Sequence, residues 1–431
     1  MTPPVSGDVM RDVWQYPLFD ALYGRRSRRF GVGFEMTEGR LAYRSRQPAL
    51  ALDELEEALL VAAGVGQTGT PLWDHPRAVH RGEAGRTFAT TSRGRRTALF
   101  LTNDEGVFVI DPTDAASAEP IEGATADVTS RLVTSYRQRR KKLGDGRLAI
   151  PRQVPPLFAH NLWDSNKPGA TLFMPVCDVS QSLISLIARL VDREGGTFVA
   201  KTGGGMYVVD DRHGFRPAGT ERWATRGFLD TTRVLPLSIL ERQACYFMFS
   251  EPAVICHNIF LATEALGIGG WMHCGFLSLG VLEALGFRTV RPAGTPATLA
   301  NPIGLDGVFE GYCPPYFTTI DDAVDAVIRG ISEPAAGPGS SAAIGERSPY
   351  LTSGADGDAN VLRSSEEGIA CTKAICNYIY ETYGRFPGTV DTMHLMWFMQ
   401  AHHLDLDFYR RFFKPGACGP THLTHLERWH S

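Results

Sequence analysis

The chain has 431 residues, 43% hydrophobic and 21% charged, with a formal net charge of -4. This length can bury a large core in one big domain or two ordinary ones, and the composition excludes a disordered or fibrous chain. So small a net charge argues against a dedicated nucleic-acid binder, which would carry a strongly basic domain.

No basic segment followed by an apolar stretch opens the chain, so no secretory leader is expected. The first helical periodicity runs over 12–23, through Val13, Trp14, Leu18, Phe19 and Leu22. Directly after it stands Gly24-Arg25-Arg26-Ser27-Arg28-Arg29-Phe30, four guanidinium groups around one serine. Guanidinium forks keep their charge at neutral pH and match the oxygens of phosphates and carboxylates. Taken alone, the run reads as a solvated basic turn or as one wall of an anion site.

Residues 52–63 read as an amphipathic helix, with Asp53 as N-cap and Leu55, Leu59 and Leu60 along one face. The Gly/Thr/Pro-rich loop over 64–71 is able to approach a ligand closely. Segments 97–101 and 107–110 flank Asn103-Asp104-Glu105-Gly106 as a β-hairpin, and 115–123 is a loop of small residues. The basic stretch 137–142 is expected on a helix, as a solvated face. A strand over 171–177 and a helix over 180–191 follow.

A second hairpin is expected from 197–201 and 206–209 around Gly203-Gly204-Gly205. Those glycines lack the downstream Lys-Ser/Thr of a phosphate loop and read as a tight turn. Apolar helices are expected over 235–249 and 253–266, the second ending at Gly267, then a strand over 268–274 and a helix over 321–331. The Gly/Ser/Ala/Pro-rich stretch 332–360 reads as a linker or flexible loop. Helices over 366–383 and 390–413 would make 361–431 a helical C-terminal extension.

Helices and strands intermix without βαβ alternation, which favours an α+β architecture. No uncharged apolar run reaches the roughly 18 residues of a membrane span. The eight cysteines show no zinc-knuckle spacing. A cytoplasmic chain with reduced thiols, and neither a membrane nor a nucleic acid as partner, is the expectation.

Two segments together carry a family resemblance. One is Arg25-Arg26-Ser27-Arg28-Arg29-Phe30 between its flanking helices; the other is Asn258-Ile259-Phe260-Leu261-Ala262-Thr263-Glu264-Ala265-Leu266-Gly267-Ile268-Gly269-Gly270-Trp271. In this order the chain resembles the nitroreductase-like flavoenzymes, over about 15–70 and 165–320. The resemblance implies a mixed or antiparallel sheet flanked by helices in a flavin-binding domain over 1–331, with an insertion at about 112–165. It also implies FMN, a homodimer, and hydride transfer through flavin N5 from NAD(P)H to a small organic substrate. Carried over, Arg25 and Ser27 would hold the phosphate and ribityl region, with Arg26 adding a backbone or second phosphate contact. Arg29 would sit at the N1/O2 edge of the ring, and Thr68 and Thr70 would add ring contacts. Gly275 would aim its amide at N5, beside Cys274 and His273 as the other candidate catalytic residues. Phe30 comes one residue early for the family pattern, and no basic residue follows Tyr312-Cys313-Pro314-Pro315-Tyr316 to complete the phosphate site.

The second concentration of chemistry is C-terminal, where six of the twelve histidines follow residue 390. His422 and His425 stand three apart, a spacing compatible with metal ligation on a helix, and His403 with Asp405 could add ligands. The interleaved aromatic residues fit helix packing or a dimer contact equally. Two alternatives therefore stand beside the flavoenzyme: a related fold that binds another ligand or partner without redox work, and a metal-dependent enzyme using these histidines.

Overall fold

The computed structural model describes residues 7–69, 72, 85–90, 96–110, 126–152, 158–192, 204–291, 296, 300–332 and 364–430. They form a mixed α+β protein built on one antiparallel sheet. In space its strands run Gly269–His273, Phe398–His402, Thr171–Asp178, Thr97–Thr102, Gly106–Ile110 and Arg140–Asp145, with Met393–His394 also paired to Thr171–Asp178.

The hairpin around Asn103–Gly106 forms as its alternation and turn residues dictate; the Asn103 side chain accepts the Glu105 and Gly106 N–H groups. All eight residues of Thr171–Asp178 are buried, so both sheet faces are covered. The period of two sorts the side chains. Leu99, Leu101, Phe173, Met399 and Ala401 pack into the core shared with helices, whereas Phe100, Leu172, Met174 and Phe398 meet Val281, Leu282 and Phe287 on the other face. Truncating one such fully buried ring, Phe173 for instance, would cost about 3–5 kcal/mol.

The helix Glu54–Val65 starts at the expected cap: the Asp53 carboxylate accepts the Glu56 N–H while the Glu56 carboxylate accepts the Asp53 N–H. It lies along the central helix Leu237–Leu266, which packs on the sheet. Two helices were expected there, yet Pro252 sits inside a single 30-residue helix. Losing one N–H does not break it because Pro252 and its neighbours Glu251, Ile255 and Cys256 are buried against other elements. By length and composition this helix is apolar enough to cross a membrane, with mean hydropathy 1.2; here it is the core helix.

Other expectations are corrected by tertiary pairing. Residues 12–23 divide into helices Gly7–Trp14 and Leu18–Gly24 around Pro17. The basic stretch 137–142 leaves the helix Ala126–Arg139 for the edge strand Arg140–Asp145, so the segment read as an insertion completes the main sheet. The helix expected over 390–413 is instead the strands Met393–His394 and Phe398–His402 followed by the short helix Leu406–Phe412. Phe398–His402 lies between Gly269–His273 and Thr171–Asp178, so the segment read as a helical extension also contributes two strands to the main sheet, beside its helices Glu366–Tyr383, Leu406–Phe412 and Pro420–Trp429. Strand Gly205–Asp210 pairs with Arg216–Pro217 and, in parallel, with Leu229–Pro236. Most of the 332–360 linker, the 115–123 loop, the 197–201 strand and Thr70 lie outside the described residues.

Candidate functional site

The arginine run follows the helix Leu18–Gly24 and attaches to the sheet edge, where Arg28 makes an antiparallel bridge to Gly270 and Gly31 one to Leu404. Gly270 is closely packed against the neighbouring strand Phe398–His402. A Cβ on Gly270 would stand 2.6 Å from Met399 Cε and 3.0 Å from the Gln400 carbonyl oxygen.

Each arginine has a different fate. Arg28 is not part of a solvated turn: it is buried and donates to Glu264 at 2.6 Å, to the Ala417 carbonyl at 2.8 Å and to the Gly24 carbonyl at 3.3 Å. Arg29 grips the buried Asp164 through Nε at 2.5 Å and Nη2 at 2.9 Å, and Asn161 at 3.0 Å. Its guanidinium lies 3.9 Å from the centre of the Trp271 ring. Arg26 is exposed and bonds the carbonyls of Tyr23 and Arg25. Arg25 rests 4.8 Å over the Phe260 ring and has no carboxylate partner among the described residues; Ser27 beside it is exposed.

A groove of about 620 Å³ opens near this turn, walled by Trp14, Leu18, Leu59, Leu261 and Ala262 with Thr68 and Asn258 as polar points. Ala21, which also lines it, lies one helical turn before Arg25 and accepts the Arg25 N–H.

Arg29, His273 and Gly275 come together. His273 is buried between Trp271, at a centroid distance of 3.9 Å, and Phe398, at 5.3 Å. Its Nδ1 accepts the Gly275 N–H at 3.1 Å. Burial, reinforced by the Arg29 charge, pushes the imidazole down to about 3, so the ring is neutral. Gly275 is packed under Asn161, whose Nδ2 would stand 2.4 Å from any added Cβ. Cys274, just past the end of the strand Gly269–His273, is exposed.

The C-terminal histidines separate. Asp405 caps the helix Leu406–Phe412 and takes no part in a cluster. His422 and His425, three apart on the helix Pro420–Trp429, reach different acids: His422 Nε2 lies 3.8 Å from Glu264, and His425 Nε2 lies 2.8 Å from Glu56 Oε1. His403 joins His425 on the same Glu56 oxygen at 2.9 Å, and His430 completes the group at 3.2 Å. Glu56 is fully buried among these imidazoles. Glu56 and His430 were not singled out from the sequence. Glu56 lies in the first turn of a helix read only for its Asp53 cap and its leucine face, and His430 lies beyond the helix end, out of register with His425.

No protein-family model matches the chain, and no curated protein matches it. By structure it is similar to a protein of Ralstonia eutropha JMP134 provisionally named a nitroreductase, at 11% identity and a TM-score of 0.27, over 67% of this chain and 88% of that one.

Proposed function

We propose that this chain is a flavin-dependent oxidoreductase of nitroreductase-like fold, binding FMN at the groove beside the turn Arg25–Ser27. The observation that most supports the reading is the Arg28–Gly270 bridge. It joins in space the two distant segments that together carry the flavoenzyme resemblance.

The fit to FMN divides. At the phosphate end Arg25 offers a guanidinium with no carboxylate partner among the described residues, next to the exposed Ser27 hydroxyl. The groove offers apolar walls at Trp14, Leu59 and Leu261 and the Thr68 side chain at its rim. Arg29 and Gly275, assigned above to the ring, are engaged by Asp164 and His273 and are left out of the binding set. Bound FMN would supply a two-electron centre between reduced nicotinamide and an organic acceptor. Arg25 and Ser27 would hold its phosphate, and the apolar walls would orient the ring and exclude water. The exposed Leu18, Phe19, Leu22 and Tyr23 adjoin the groove and would be covered by a second copy in a cytoplasmic homodimer.

Purified protein, mixed with FMN and freed of excess, should retain one flavin per chain with its visible absorption. Arg25→Ala should weaken FMN binding about tenfold to a hundredfold, the loss expected for a charge-assisted phosphate contact. A protein that takes up no FMN, or an Arg25→Ala variant that binds it as tightly as the parent, would overturn the reading.

A further inference from the structure

Glu56, His403, His425 and His430 bring one carboxylate and three imidazoles from three parts of the chain to one point. Their ligand-capable atoms all lie within 4.8 Å of one another. Glu56 sits in the first turn of the helix Glu54–Val65, His403 directly after the strand Phe398–His402, and His425 and His430 on and just beyond the C-terminal helix. The side chains of Glu56 and His403 are fully buried, that of His425 is 2% exposed and that of His430 18%.

The direction of the rings is informative. His403 Nδ1 lies 3.1 Å from the Leu50 carbonyl oxygen and His425 Nδ1 lies 2.7 Å from the Leu266 carbonyl oxygen. A carbonyl only accepts, so each Nδ1 carries the hydrogen, and each neutral ring then turns a bare Nε2 lone pair toward Glu56. Lone pairs facing a carboxylate oxygen at under 3 Å repel unless a cation stands between them. Placing a second proton on His403 and His425 would set two imidazolium charges side by side in a buried space. One divalent cation instead lets both rings keep a single proton and receives four donor atoms.

We propose that these four residues form a binding site for a divalent transition-metal ion, zinc by its ligand set, that fastens the C-terminal helix Pro420–Trp429 to the helix Glu54–Val65. Three imidazole nitrogens and one carboxylate oxygen are a familiar donor set for that ion, and bonds of 2.0–2.1 Å in a tetrahedron put neighbouring donors about 3.3 Å apart. The observed Nε2 to Oε1 separations of 2.8, 2.9 and 3.2 Å fall short of that spacing by at most about 0.5 Å, so a small opening of the cluster would seat the ion. The supporting contacts match those that orient metal ligands: backbone carbonyls hold two rings through Nδ1, and the Asp53 N–H holds Glu56 Oε2 at 2.6 Å. Four protein donors leave no position for substrate, so the ion is structural, and this inference stands apart from the flavin reading.

The test uses the full chain, stripped with a chelator, dialysed and titrated with Zn²⁺ or Co²⁺ alone. One ion per chain by elemental analysis and intense visible bands of tetrahedral Co²⁺ are expected, with a Tm that falls on chelation and returns with Zn²⁺. His430→Ala removes the outermost ligand and should weaken affinity at least about tenfold. Glu56→Gln keeps a capping-box residue and should weaken it likewise. Circular dichroism establishes that each variant is folded; should Glu56→Gln unfold, His430→Ala decides. A folded parent that takes up no stoichiometric ion, or uptake unchanged in the folded variants, overturns the proposal.

Discussion

Arg28 donates to Glu264 at 2.6 Å with the two side chains only 5% and 3% exposed, across 236 positions of sequence. The pair ties the turn after the helix Leu18–Gly24 to the last turn of the central helix. Burial pushes the Glu264 carboxyl above its ordinary range, while Arg28 and the Arg26 N–H pull it back. Deleting one partner leaves the other as an uncompensated buried charge, at a cost of about 3–5 kcal/mol. Arg28→Ala should therefore lose about that much in denaturant unfolding. Arg26→Ala, at an exposed position, should lose no more than about 0.5 kcal/mol.

Gly267 ends the central helix with φ of 81°, and a Cβ there would stand 2.3 Å from the Thr421 carbonyl oxygen. Gly267→Ala combines a left-handed backbone with an overlap against fixed main chain, and should cost at least about 2 kcal/mol. The damage should reach the histidine cluster, because the neighbouring Leu266 carbonyl holds His425. Thermal unfolding of the variant, with its Zn²⁺ uptake, measures both effects.

His273 gives the stability a pH dependence of predictable sign. Its folded value is depressed from 6.5 to about 3, chiefly by burial. Below pH 6.5 the unfolded chain takes a proton that the folded chain refuses, so this contribution is present above pH 6.5 and is lost as the pH falls toward 3. Between pH 7 and pH 5 the loss is on the order of 2 kcal/mol. His273→Phe should be less stable at pH 7, having lost the acceptor for the Gly275 N–H, yet its stability should fall less on acidification. Urea unfolding of both proteins at the two pH values tests the difference.

Cys274 is exposed, Cys418 is intermediate, and the other six cysteines are buried. A thiol reagent should label one site rapidly in the native protein, and Cys274→Ser should abolish that fast phase. Equal fast labelling in the variant would place the reactive thiol elsewhere.

Where local chemistry decides, the chain was legible. Asp53 and Glu56 form the capping box that begins the helix Glu54–Val65, and Asn103–Gly106 turns the hairpin, because those residues satisfy neighbouring backbone groups. Where partners lie far apart, local pattern misled. Residues 398–402 carry helix-compatible apolar spacing, yet the open edges of Gly269–His273 and Thr171–Asp178 draw them into a strand. Nothing local sets Arg28 apart within its run, and only the Glu264 carboxylate more than two hundred residues away makes it the buried one.

The sequence by itself determined the α+β character, the principal helix caps and the concentration of charge at Arg25–Arg29, all of which depend on near neighbours and periodicity. Only the tertiary structure decided which charges are spent and which are free. Asp164 takes Arg29, Glu264 takes Arg28, and Arg25 has no carboxylate partner among the described residues. It likewise gathered His403, His425 and His430 on Glu56 while sending His422 elsewhere. The reason is physical: an ion pair or a ligand set forms between atoms about 3 Å apart in space, and spacing along the chain does not determine that distance once the chain has folded back on itself.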